Sequence, residues 1–187
     1  MNNKLDDNFV IMGIDPGTNI MGFGIIKVEK KEMRLIDMIE YKLPKSDDHN
    51  LKLSKIFKKT TELIKIHRPN YISIESPFFG KNVQSMLKLG RAQGVSIAAA
   101  LNSKIPITEY SPKKIKMAIT GNGNSSKEQV AKMLKSMLKI KELPKNLDST
   151  DGLAAAVCHF FNFQNEKQKK KYSSWSSFID KNPNKIA

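Results

Sequence analysis

Acidic residues are scarce in this chain, cysteine is nearly absent, and no long apolar run interrupts it. Its single cysteine, Cys158, excludes an internal disulfide; within the run LAAAVCHFF it reads as a small buried hydrophobe. No stretch approaches the roughly 18 apolar residues a membrane helix needs. The opening MNNKLDDN lacks a signal-peptide pattern, so a cytoplasmic protein is expected. The shortage of acids has the largest consequence. Against 18 Asp and Glu stand 32 Lys and Arg, leaving +14 over 187 residues. A surface so basic suits a polyanion, and nucleic acid is the usual one. A lysine-rich composition alone would look the same, so the location of the charge decides. Between Lys104 and Lys145 ten lysines face only Glu109, Glu128 and Glu142, whereas the first sixty residues are close to balanced. A block of that kind is an electrostatic footprint.

What is present reads as one α/β domain. FVIMGI at 9–14 is a short apolar run suited to a strand buried on both faces. Strand-like runs follow at 20–29 and 33–42, the first thinned by Gly22 and Gly24 for close approach by another group. Apolar positions at helical spacing over 50–67 end at Pro69. A strand at 71–75, a helix over about 83–101 and a strand at 105–109 come next. Ser111 and Pro112 form an N-cap and first-turn pair, and Ser125 with Glu128 reads as a capping box for a helix to about 139. A last helix is expected over 148–163. Strands first, then helix–strand alternation, indicate a mixed sheet flanked by helices. No internal repeat is seen. The domain is expected to span 1–163, with 164–187 a basic, flexible extension in which Tyr172, Trp175 and Phe178 are possible docking points.

Four carboxylates stand at element ends. Asp15 closes the first strand in DPGTNIMGFG, and Glu75 closes YISIE. Asp148 and Asp151 sit three apart in LDSTDGLAAA, on one face of the last helix. Singly, each has an ordinary explanation: a turn before Pro16 and Gly17, a strand-end charge, and an N-cap with a first-turn acid favoured by the helix dipole. Together, in so basic a chain, they point to phosphodiester hydrolysis. That reaction needs a nucleophilic water, neutralised phosphoryl oxygens and help for the leaving oxygen, which two Mg²⁺ about 4 Å apart supply. Mg²⁺ prefers hard oxygen ligands, and a carboxylate cluster is a suitable cradle. If the first and fourth strands are neighbours, the strand-end acids meet the helix.

Three segments, IMGIDPGTNIMGFGII, IESPFFGKNVQSMLKLGRAQGVSIAAAL and LDSTDGLAAAVCHFF, resemble the signature regions of the RuvC-type Holliday-junction resolvases. The intervening ITEYSPKKIKMAITGNGNSSKEQV is similar too, and the likeness spans roughly 9–163. The resemblance implies a ribonuclease H-like fold, a homodimer, and paired symmetric nicks across a four-way DNA junction in recombination and repair. It implies catalytic, metal-binding roles for Asp15, Glu75, Asp148 and Asp151, with two Mg²⁺ and Mn²⁺ able to substitute. Phe78 matches an aromatic that stacks on junction bases; Lys116 and Lys127 match basic residues near the scissile strand; Lys81 joins them as a DNA contact. A branch-migration motor is an implied partner. Pro77 departs from other branches of the family, which carry a different dipeptide before the aromatic.

The residues agree where chemistry can test them. Adjacent Phe78 and Phe79 in a loop are costly to expose unless they stack on something, and unpaired bases are one candidate. Lys127 follows the loop GNGN at a helix start whose amides can also hold phosphate. The small residues Gly90, Ala92, Gly94 and Ala98 suit close helix packing, within the core or in part across a dimer. His159 within its apolar run reads as packing before metal assistance. Two enzymatic readings and one non-enzymatic reading compete. The turn DPGT with GFG also resembles a phosphate loop of the actin and sugar-kinase ATPases, but that class needs a second such loop and a longer chain. A nuclease of the same fold acting on RNA is closer. A junction-binding protein without cleavage has no use for the four acids.

Overall fold

In the computed structural model, residues 8–77, 82–144 and 146–170 are described, with side chains through Gln164. The strands are β1 (Asn8–Asp15), β2 (Ile20–Glu29), β3 (Glu32–Lys42), β4 (Tyr71–Glu75) and β5 (Ile107–Tyr110). The helices are α1 (His49–His67), α2 (Val83–Asn102), α3 (Pro112–Thr120), α4 (Lys127–Met137) and α5 (Asp148–Lys170). The strands form one sheet in the order β3-β2-β1-β4-β5. β1, β2 and β3 run antiparallel, while β4 and β5 lie parallel to β1. This is the mixed sheet expected, with β1 and β4 adjacent.

Alternation along the central strands divides the core. Met12 and Ile14 of β1, with Met21, Phe23 and Ile25 of β2, pack toward Ile56 and Leu63 of α1 and Ala92 and Ala100 of α2. Ile11, Ile26 and Val28 face Leu153, Ala156 and Val157 of α5, with Ile115 of α3 and Leu134 of α4 in the same cluster. Each successive side chain crosses the sheet, so a strand covered on both sides must be apolar throughout. On the α5 side the central strands carry Gly13, Gly22 and Gly24. A Cβ on Gly13 would lie 2.1 Å from the Gly152 carbonyl oxygen, and one on Gly24 2.2 Å from the Leu153 Cα. The helix backbone therefore rests directly on the strand backbones, a contact only glycine permits. The expectation drawn from Gly22 and Gly24 is met, and Gly13 and Gly152 extend it.

Four boundaries differ from the sequence reading. α4 is capped by Ser126, whose hydroxyl accepts from the Gln129 amide in a full capping box. Ser125 is instead engaged at 2.8 Å with the Thr120 hydroxyl, which removes it from cap duty. α4 also stops at Met137 instead of about 139, with Lys139 just beyond at φ 53°. β5 starts at Ile107, later than expected, because Pro106 has no N–H to donate and the Ile105 amide turns back to Ala100. α5 continues through Lys170 and does not end at 163. Ser111 caps α3 with Pro112 in the first turn, as read from the sequence. Phe78, Phe79 and Lys81 lie outside the described residues, as do Tyr172, Trp175 and Phe178 of the tail.

Candidate active site

Parallel pairing of β1 with β4 sets Ile14 beside Ile74, so Asp15 and Glu75 emerge at the same end of the sheet. The helix then brings two more acids. Its first turn holds Asp148 and Asp151, and a Cβ on Gly22 would meet the Asp148 carbonyl oxygen at 2.1 Å. The glycine floor thus fixes how near the helix start comes to the end of β1. All four acids are half-buried.

A cleft of about 300 Å³ opens over them, with Asp15, Glu75, Asp151, Lys116 and Lys127 among its walls. Asp148 stands at its margin, joined to the cluster through Lys127. The Lys127 ammonium donates to Asp148 Oδ1 at 3.4 Å and also to Asp151 Oδ2. A second hollow of about 180 Å³ adjoins on the α2 side, where Pro16, Ser76, Pro77 and Leu89 meet Asp15 and Glu75.

The electrostatics are those of crowded like charges. Burial, then repulsion from Glu75 and Asp151, holds the Asp15 carboxyl well above its ordinary range. Burial and Asp151 push Glu75 up to about 7, against relief from Lys127 and Lys116. Asp151 is raised chiefly by burial, with Lys127 pulling the other way. For Lys127, burial disfavours the ammonium, but its bonds to Asp151 and Asp148 outweigh that and raise it.

An all-oxygen donor set of this charge fits a hard divalent cation, and Lys127 shows that a cation is accepted between Asp148 and Asp151. As the side chains stand, no group of three His, Cys, Asp or Glu among the described residues closes on one point. To hold an ion, the acids would have to draw together around it.

Sequence reasoning placed all four acids and Lys116 and Lys127 near one another, and the fold gathers them. It missed the direct bond from Lys127 to the acids, and it missed Leu89 beside them. It also passed over Gly152. A glycine inside a helix is unfavourable by about 1 kcal/mol relative to alanine, a signal of backbone contact that could have been read. His159 is a packing residue: buried, with Nδ1 2.9 Å from the Tyr110 hydroxyl and its ring against Tyr71. Cys158 is buried and unpaired by disulfide, its thiol pushed up to about 11 by burial. The small-residue stripe of α2 splits: Ala92 is core, whereas nothing would meet a Cβ on Gly90 or Gly94.

Known proteins share this chain's sequence and fold. The family model described as crossover junction endodeoxyribonuclease RuvC matches residues 11–159. A crossover junction endodeoxyribonuclease RuvC of Christiangramia forsetii is 64% identical over 177 residues, covering 95% of this chain and 92% of the relative. That of Bacteroides fragilis is 54% identical over 179 residues, covering 95% of both chains. Among solved structures, T. thermophilus RuvC in complex with Holliday junction substrate superposes with a TM-score of 0.79 at 30% identity, over 84% of this chain and 96% of the other. The yeast mitochondrial Holliday junction resolvase Ydc2, at 14% identity and a TM-score of 0.62, shares the fold over 81% of this chain and 77% of its own.

Proposed function

Because this chain belongs to the RuvC family of crossover junction endodeoxyribonucleases, we propose that its cleft cuts four-way DNA junctions by paired, symmetric nicks in recombination and repair. The observation that carries the reading is the convergence of Asp15, Glu75 and Asp151 in one cleft with two lysines. Carboxylates that repel each other so strongly favour a site meant for cations, and lysines beside them favour a phosphate. Two Mg²⁺, with Mn²⁺ able to replace them, would supply the activated water, charge neutralisation and leaving-group help.

The chain's own residues do the rest. Asp15 and Glu75, on the ends of adjacent strands, and Asp148 and Asp151, one helical turn apart, present oxygens to one space. The rigid sheet and the glycine contact hold that space open to the strand being cut. Lys116 on α3 and Lys127 on α4 flank it and hold the scissile strand's phosphates. Lys81 extends the phosphate track, and Phe78 stacks on unpaired bases at the junction centre. These last two assignments rest on the family resemblance.

Paired cuts call for two sites, and α2 supports a homodimer. Val83, Leu87 and Leu101 are 64%, 58% and 62% exposed along one helix, with Gly90, Gly94 and Ala98 between them. An apolar stripe with small residues lets a second helix approach closely. The basic tail and a branch-migration motor complete the proposed assembly, acting in the cytoplasm; no helix among the described residues is long and apolar enough to cross a membrane.

Glu75→Gln tests the site. It keeps the shape and removes the charge, so junction cutting in Mg²⁺ should vanish while junction binding persists. Cutting at the native rate would refute the assignment.

A further inference from the structure

Lys127 does more in this structure than flank a phosphate track. It is the first residue of α4, held by the Ser126–Gln129 capping box, so its backbone is fixed. From there its side chain reaches across to α5 and donates to Asp148 and Asp151, residues 21 and 24 positions away. The side chain is 52% exposed, leaving the ammonium an open path to solvent. Lys116 lines the same cleft, yet among the described residues it makes no ion pair with the acids.

Lys127 engages one oxygen of each of two carboxylates that a divalent ion at the proposed site would share. A carboxylate lone pair cannot serve an ammonium proton and a metal together. A dication and an ammonium at neighbouring positions also repel strongly wherever water is partly excluded. Occupancy by one therefore opposes the other, and this follows only if the acids form the metal site proposed above.

We propose that Lys127 is a tethered stand-in cation: its ammonium holds Asp148 and Asp151 together in the metal-free protein and must leave them for a divalent ion to enter. The freed ammonium then lies beside the cleft, where a phosphate is the next available anion. Metal entry and phosphate capture become coupled steps. The lysine keeps like charges together until the metal arrives, and it lowers metal affinity in the absence of DNA. DNA that draws the ammonium away would raise that affinity, and by linkage the metal would tighten DNA binding by the same factor.

Calorimetric titration with Mn²⁺, without DNA, measures the competition directly. Lys127→Met keeps the length of the side chain and, at a half-exposed position, leaves the fold intact. It should bind Mn²⁺ about ten-fold tighter, the effect of removing a competitor stabilised by about 1.4 kcal/mol. Lys127→Arg keeps a cation and should stay close to native. Lys116→Met removes an equal charge from the same cleft, and should tighten binding by much less than Lys127→Met. If Lys127→Met binds no tighter than native, or Lys116→Met tightens binding equally, the proposal fails; the second result would mean that only the general field matters. Asp151→Asn separates the two layers of the argument. If it binds Mn²⁺ as native does, the acid assignment falls and this proposal with it. If it loses Mn²⁺ while Lys127→Met matches native, only the stand-in falls.

Discussion

Burial and Asp151 hold Glu75 near pH 7 in the metal-free site, well above its ordinary 4.5. A carboxyl whose pKa is higher in the folded state binds its proton more tightly there than in the unfolded chain. Folding is thus favoured by that proton below about 4.5, and the benefit is lost as pH rises through about 7. In EDTA, native stability should decline across this window by more than that of Glu75→Gln, which has no proton to lose. The excess should be at most about 3 kcal/mol, and less because the group is only half-buried. Mg²⁺ should restore it at neutral pH. Urea midpoints of both proteins from pH 4.5 to 7 decide the matter, and parallel curves would contradict it. The acids were legible in the sequence because each stands at the end or start of an element in a chain otherwise short of acids. The Lys127 contact was not, since it spans more than twenty residues and depends on how α4 crosses α5.

At the scale of elements, the position of α5 depends on a floor without side chains. A methyl group on Gly13 or Gly24 would overlap helix backbone, which has no rotamer to change. Gly13→Ala and Gly24→Ala should each lower stability by about 1–3 kcal/mol or more, the usual cost of overpacking. Cutting should weaken as well, because Asp148 and Asp151 ride on the displaced helix. Urea denaturation and cleavage rates measure both, and a native midpoint in either variant would show that α5 is not seated as described. Most elements were readable from period and punctuation: β4 and the Ser111–Pro112 start of α3 appear as expected. The misses are local. Ser125 was read as the cap of α4, whereas its hydroxyl is bound to Thr120 and the adjacent Ser126 caps the helix. Pro106 shortens β5 for want of a single amide hydrogen.

At the scale of the whole molecule, charge and the symmetry of the proposed dimer govern. The ten lysines between Lys104 and Lys145 fall largely on α3, α4 and the segments around them, the elements that wall the cleft. Junction affinity should therefore fall steeply and linearly in log salt, by roughly one power of ten per phosphate contact for each ten-fold rise in salt. The exposed stripe of α2 belongs to the same scale. Leu87→Glu should leave the fold intact and shift sedimentation from dimer to monomer, with paired nicks giving way to single ones. A variant that stayed dimeric would move the interface elsewhere. This arrangement was only partly legible: the small residues flagged α2 for packing, but packing within the core holds for Ala92 and not for Gly90 or Gly94. Which face of a helix is left bare depends on the neighbours the fold assigns it.

Cleavage of a synthetic mobile four-way junction in Mg²⁺, with linear duplex and an RNA-containing substrate alongside, bears on the central claim most directly. The native chain should place symmetric nicks on the junction alone, and Asp151→Asn should place none while still binding it. Tight binding without nicks by the native chain, or cutting confined to the RNA-containing substrate, would contradict the account.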